Sequence, residues 1–401
     1  MIQTPKGLRM HIGIFGRRNV GKSSILNALT NQEVSIVSPE KGTTTDPVDK
    51  TMELQPVGPV LFIDTAGLDD EGDLGELRIA RTKAVYDRTD LGLVVTDGVW
   101  GDDETEIAAQ LEARNVPWIA VLNQSDRNDY AALRQLLTDR NVPVAVVSAK
   151  ERRGLDALRE AIVTHAPAEF IETPHLVGDL VGENAHVILV VPIDKEAPKG
   201  RLILPQVQTI RDLLDTHAVC TVCRENQVTQ VLQSMREPPA LVVTDSQAFG
   251  IVDAQLPRDI PLTGFSVLFA RCKGDLGIMA AGAREIARLS PGDRILIAEA
   301  CTHHPIQDDI GRVKIPRWLQ NTAGGELAID VVSGTDFPED LRPYRLIVHC
   351  GGCMWNRRQM LCRIAKAQSQ GVPITNYGLA IAALHGILDR ALEPFHLERQ
   401  V

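Results

Sequence analysis

A chain of 401 residues is longer than one ordinary core accommodates, and it implies two or three domains. Its 44% hydrophobic content supports folded cores and excludes a disordered chain, while a formal charge of −10 argues against a protein held to nucleic acid by a general basic surface. No apolar run reaches the ~18 residues of a membrane span, and residues 1–10 lack an apolar signal core, so a cytoplasmic location without membrane attachment is expected.

From residue 11 to about 166 the pattern alternates strand and helix. Strand-like runs cover residues 11–15, 60–64, 91–96, 118–123 and 144–148, with helical segments such as 22–30 and 131–140 between them. That alternation predicts a mostly parallel sheet wrapped by helices. After prolines 167 and 174 a smaller alternation begins, with strands at 186–193, 218–224 and 240–244 and helices at 206–215 and 227–235. A sheet this thin leaves exposed edges, so the segment is expected to dimerise. A third stretch brings a helix at 278–289 and strands at 294–299 and 344–349, each strand closing on a cysteine. The expected organisation is α/β throughout: a first domain at 1–170, then two smaller α/β domains with mostly parallel sheets, a dimerisation domain at 176–258 and a third domain at 260–401.

Gly16-Arg-Arg-Asn-Val-Gly21-Lys22-Ser23 fits GxxxxGK[ST] between a strand and a helix. The glycines let backbone N–H groups curl around phosphates, and Ser24 continues the loop into the helix. Lys22 would neutralise the β- and γ-phosphates, and Ser23 would ligate Mg²⁺. Asp64-Thr-Ala-Gly67 closes the next strand, with Asp64 suited to the Mg²⁺ site and Gly67 to a γ-phosphate contact. Asn123-Gln-Ser-Asp126 offers a carboxylate that accepts both guanine N1–H and N2–H₂, which adenine lacks. Ser148-Ala149-Lys150 offers a backbone N–H to guanine O6. Together they predict binding of GTP or GDP and hydrolysis of GTP.

These residues resemble the TrmE and Era type of GTPase, and Gly42-Thr-Thr44-Thr-Asp46 resembles that group's switch I motif. The resemblance implies that Thr44 meets Mg²⁺ and that Asn19 helps hold a K⁺ near the phosphates, where the ion stands in for an arginine finger. Leu68 occupies the place of a water-positioning glutamine, which implies slow unaided hydrolysis, and Gln124 replaces the usual lysine beside the guanine carboxylate.

There are seven cysteines, an odd number that does not read as a disulfide framework. Cys301-Thr-His303 and His349-Cys350-Gly-Gly-Cys353 follow two strands and could turn three thiolates toward one metal. Residues 354–366 read as a helix whose N-terminus would favour a thiolate. Zinc and an iron–sulfur cluster both suit such a set. Cys220 and Cys223 lie at i and i+3 of a strand, on opposite faces, and read as core; Cys272 and Cys362 read as helical filler.

GTPase domain, middle domain and CxH…HCxxC together resemble the [FeFe]-hydrogenase maturation GTPases, HydF, over nearly the full length. The resemblance implies a [4Fe-4S] cluster on Cys301, Cys350 and Cys353, with His303, His349 or an exchangeable group as fourth ligand. It implies a scaffold or carrier for the diiron precursor of the hydrogenase H-cluster, acting as a homodimer with two radical-SAM maturases and the hydrogenase apoprotein as partners. The residues alone leave a second reading open, an RNA-modifying or ribosome-associated GTPase with a zinc-stabilised accessory domain.

Overall fold

The computed structural model describes residues 6–30, 48–65, 84–171, 175–193, 202–300, 309–334, 336–352 and 355–397. The chain divides into two compact units, Met1–Thr173 and Pro174–Val401.

The first unit is a six-stranded sheet in the order β2-β3-β1-β4-β5-β6. Its strands are β1 (Met10–Phe15), β2 (Val48–Leu54), β3 (Gly58–Asp64), β4 (Leu91–Thr96), β5 (Trp118–Leu122) and β6 (Val144–Val146). All neighbours are parallel except β2, which lies antiparallel on β3 at one edge. Every residue of β1 and β4 is buried, as expected of parallel strands covered on both faces. Helices α1 (Lys22–Thr30) and α4 (Leu155–Thr164) bring Ile25, Leu29, Leu158 and Ile162 to one face. On the other face, α2 (Asp102–Glu112) supplies Ile107 and Leu111, and α3 (Ala131–Asp139) supplies Leu137. The order reverses around β1, so the crevice at its carboxyl end is where a ligand is expected.

The second unit holds two four-stranded parallel sheets. One runs β10-β9-β7-β8, from β7 (His186–Val190), β8 (Val219–Cys223), β9 (Leu241–Thr244) and β10 (Leu262–Gly264). The other runs β12-β11-β13-β14, from β11 (Arg294–Glu299), β12 (Ala328–Ser333), β13 (Leu346–His349) and β14 (Ile374–Asn376). β10 lies beyond residue 258, where the sequence reading divides the domains. The two sheets also share one hydrophobic cluster: Ile188, Val190 and Val242 lie with Leu296, Ala298 and Ile347. Helices α6 (Phe265–Lys273) and α7 (Leu276–Arg284) contribute Val267, Ala270, Met279 and Ala283 to that cluster, after α5 (Leu204–Asp215) against the first sheet. Later helices are α8 (Ile315–Ala323), α9 (Arg357–Ser369) and α10 (Tyr377–Leu384). Cys223 packs in the shared cluster and Cys220 against the opposite face, as strand alternation requires. Among the described residues no helix is long and apolar enough to cross a membrane.

Candidate functional site

The P-loop leaves β1 at Gly16 and enters α1 at Lys22. Gly16 has φ +143° and Gly21 φ +94°; a Cβ there would stand 2.3 Å from the Val95 carbonyl oxygen or from Asn123 Nδ2. The turn therefore requires glycine at both places. Asn19, exposed at the loop tip, adopts φ +64°. Lys22 is buried, and its Nζ donates to the carbonyls of Gly16 and Arg17, both at 2.8 Å. Arg17 fastens the loop sideways: Nε donates to Glu104 Oε1 at 2.6 Å and Nη2 to Asp97 Oδ1 at 3.2 Å. Ser23 and Ser24 lie exposed on the first turn of α1.

Ser23 Oγ donates to Asp64 Oδ2 at 2.5 Å. The other carboxylate oxygen, Asp64 Oδ1, is buried without a hydrogen-bond partner. Burial pushes the Asp64 carboxyl above its ordinary range, against the Ser23 bond and the positive charges of Lys22 and Lys50. A hydroxyl and an orphaned carboxylate oxygen at a phosphate loop fit the hard oxygen donor set of Mg²⁺.

Asn123, buried at the end of β5, joins the loops of the site. Its Nδ2 donates to the Val20 carbonyl at 2.9 Å, and its Oδ1 accepts from Ala149 N at 3.1 Å. Ser148 Oγ donates to Asp126 Oδ1 at 2.7 Å, and this bond chiefly holds the Asp126 carboxyl below its ordinary value. Lys150 follows on the exposed side. Gly16, Asn19, Gly21, Lys22, Ser23, Ser24, Asp64, Asn123, Asp126, Ser148, Ala149 and Lys150 thus all lie at or just past the carboxyl ends of strands of one sheet, Lys22, Ser23 and Ser24 in the first turn of α1. Thr44 and Gly67 lie outside the described residues.

The second constellation sits where the order of the last sheet reverses. β11 and β13 are parallel neighbours with Ala298 level with His349, and their carboxyl ends precede Cys301 and Cys350. Cys350 N donates to the Ala298 carbonyl at 2.8 Å, and Ala300 N donates to Cys350 Sγ at 3.0 Å. Cys301, His303 and Cys353 lie outside the described residues, so Cys350 and His349 are the described members of the set. A sulfur that accepts an N–H at a sheet switch point fits thiolate ligation of a soft metal or an iron–sulfur cluster.

His349 does not stand as an open ligand. It is fully buried; its Nδ1 donates to the Cys350 carbonyl at 2.7 Å, and its Nε2 accepts from Arg363 Nη1 at 2.9 Å. Burial, then the Arg363 charge, hold the ring neutral with its pKa down to about 3. Both nitrogens of His349, expected as a possible fourth ligand, are thus engaged in hydrogen bonds in this structure. The helix expected from residue 354 begins at Arg357 instead. Asn356 caps it, accepting from Gln359 N at 3.2 Å, so that donor goes to an amide oxygen and not to a thiolate.

Residues 277–394 match the family model for the hydrogen maturase F tetramerization domain, and residues 176–274 match the hydrogen maturase F dimerization domain. The chain belongs to the hydrogen maturase F family. Residues 11–124 match a third model, described as a 50S ribosome-binding GTPase. Among curated proteins, the chain is 37% identical over 165 residues to the GTPase Der of Sulfurimonas denitrificans, covering 38% of this chain and 33% of that protein. It is 36% identical over 156 residues to the tRNA modification GTPase MnmE of Desulfotalea psychrophila, with 38% and 33% covered. The chain thus spans about a third of the length of these relatives. Among solved structures, an Aquifex aeolicus Era variant bound to GDP·AlF₄⁻ is 19% identical, with 61% of this chain and 97% of that one covered and a TM-score of 0.35.

Family membership leaves several residues of the second constellation unaccounted for by motif. Arg363, Lys273 and Tyr377 surround the Cys350 loop, and none belongs to the CxH…HCxxC pattern. The Tyr377 hydroxyl is buried without a hydrogen-bond partner, and burial, with Cys350 and Glu299 nearby, pushes its pKa up. Glu299 is itself occupied, accepting Arg312 Nη2 at 2.7 Å and Ser333 Oγ at 3.1 Å.

Proposed function

We propose that the chain hydrolyses GTP with Mg²⁺ and serves as a [4Fe-4S] scaffold or carrier for the diiron precursor of the [FeFe]-hydrogenase H-cluster. Lys22 and the loop N–H groups would hold the phosphates, Ser23 and Thr44 the Mg²⁺ with Asp64 behind, Gly67 the γ-phosphate, and Asp126 with Ala149 the guanine. Asn19 would hold K⁺, and hydrolysis is slow unless K⁺ is present. Cys301, Cys350 and Cys353 would hold the cluster, with His303 or an exchangeable group as fourth ligand. The working form is a homodimer that can assemble further, and it meets the radical-SAM maturases and the hydrogenase apoprotein in the cytoplasm. A bound cluster with one exchangeable iron position supplies a docking point for a second iron unit.

The observation that carries this reading is the parallel pairing of β11 with β13 at the switch point of their sheet, in a chain matched to the hydrogen maturase F domains. The test is anaerobic reconstitution of the full chain with iron and sulfide, beside a triple variant with serine at 301, 350 and 353. The wild-type chain is expected to turn brown and retain both elements, and the triple variant to retain neither. A colourless wild-type chain carrying zinc would overturn the cluster reading. Turnover in K⁺ compared with Na⁺ tests the nucleotide half, where equal rates would defeat the role given to Asn19.

A further inference from the structure

Arg363 is a buried cation with no carboxylate beside it among the described residues. Its residue is 7% exposed, and its guanidinium carbon stacks 4.1 Å from the Trp355 ring centroid and 4.4 Å from that of Phe337. Nη1 donates to His349 Nε2 at 2.9 Å and Nη2 to the Gly334 carbonyl at 2.6 Å. Both acceptors are neutral, and among the described residues no acidic side chain lies at ion-pair distance from it. The negative groups that act on it electrostatically are Cys350 and the exposed Asp336. A second buried cation, Lys273, reaches the same loop from α6, donating to the carbonyls of Gly352 at 3.1 Å and Trp355 at 2.8 Å. Glu299 is spent on Arg312.

A desolvated charge is costly unless something opposite faces it. The rings of Trp355 and Phe337 stabilise a guanidinium through their faces, yet they carry no charge. Of the two negative groups that act on it, Asp336 is exposed to solvent, while Cys350 is joined to Arg363 through His349. A [4Fe-4S]²⁺ core on three thiolates carries one net negative charge, which one guanidinium cancels. Taken with the cluster reading above, on which this rests, we propose that Arg363 is the counter-charge of the thiolate-held centre at Cys350. His349 is the positioning residue between them. Its Nδ1–H fixes the Cys350 carbonyl and its Nε2 fixes Arg363, so ligation by either nitrogen would break the relay.

The test uses the full chain, reconstituted anaerobically with iron and sulfide, as wild type, Arg363→Gln and Arg363→Lys. Iron retention against a chelator series, the cluster's reduction midpoint, and thermal melting of the metal-free proteins are read for each. Arg363→Gln keeps a donor but loses the charge. It is expected to hold iron on the order of 10–100-fold more weakly, in the range seen when outer partners of metal ligands are removed. Its midpoint shifts negative, because a reduced cluster loses the cation that stabilised it. Arg363→Lys keeps the charge and stays close to wild type in both, and neither metal-free variant melts lower than wild type. Equal iron retention and midpoint in wild type and Arg363→Gln would overturn the counter-charge while leaving the cluster intact. Equal losses in the two variants, or a metal-free Arg363→Gln that no longer folds, would overturn it too, since geometry rather than charge would then be at work. A wild-type chain that takes up no iron overturns both this and the cluster reading.

Discussion

Ser148 Oγ donates to Asp126 Oδ1 across 2.7 Å, tying the loop after β6 to the loop after β5. The bond keeps Asp126 charged and aimed, and it holds the carboxyl below its ordinary pKa. A depressed pKa means the charged form is favoured above the unfolded value and is lost only as pH falls through the folded one. Ser148→Ala is therefore expected to weaken GDP binding at neutral pH, because Asp126 loses the hydroxyl that aims its carboxylate. It should also move the acid limb of binding to higher pH. Titration of a fluorescent GDP analogue across pH measures both. Unchanged affinity would show that Asp126 needs no such support.

Asp64 works in the opposite sense. Burial raises its pKa, so without metal the carboxyl keeps its proton to a higher pH than a free one does, and the stability this lends is lost as pH rises through the folded value. A Mg²⁺ held beside Ser23 would favour the charged carboxylate and so reverse the balance. The melting temperature should thus gain more from Mg²⁺ and GDP at pH 7 than at pH 5. Asp64→Asn should abolish that pH dependence and weaken Mg²⁺ by roughly 10–100-fold. Calorimetric melts at the two pH values check it, and an equal gain at both would contradict the role of Oδ1.

The nucleotide motifs were legible because phosphate and guanine chemistry fixes residue types at short spacings: Gly16 to Ser23, Asn123 to Asp126. β2 was not, since Val48-Asp-Lys-Thr-Met-Glu-Leu54 lacks a clean apolar alternation and pairs only at an edge. The start of α9 carried a readable sign in Asn356 and Gln359, a capping-box pair that outweighs the pull of the preceding CxxC. Arg363 carried none. A charged residue in a polar helix defaults to solvent, and its burial depends on Phe337 and Trp355 closing over it from outside that helix. For the same reason His349 read as a ligand by type, when its partner sits on the next helix.

Arg17 and Glu104 pin the phosphate loop to α2. Glu104 is fully buried; its Oε1 accepts Arg17 Nε and its Oε2 accepts Gly101 N at 2.9 Å. Arg17→Ala leaves that carboxylate without its cation. The expected loss is about 1.5–3 kcal/mol of stability, moderated because Arg17 itself is partly exposed. Urea unfolding of the full chain measures it. Arg17→Ala combined with Glu104→Gln should recover much of the loss, since no buried charge is then left unpaired; an undiminished loss in the double variant would mean that the ion pair was not the cause.

Tyr377 places a hydroxyl in the interior with nothing to bond. Such a group costs about 1–3 kcal/mol when left unsatisfied, so its removal should not destabilise the metal-free protein. Tyr377→Phe keeps the ring at the start of α10 and deletes only the oxygen. The metal-free variant is expected to melt at or above the wild-type temperature. The reconstituted variant is expected to release iron to a chelator faster than wild type, because the phenol's natural acceptor would be a sulfur of the centre at Cys350. The two measurements separate the causes. A metal-free variant that melts lower would mean that the hydroxyl already has a structural partner. Identical iron retention would mean that the phenol faces the pocket without touching what it holds.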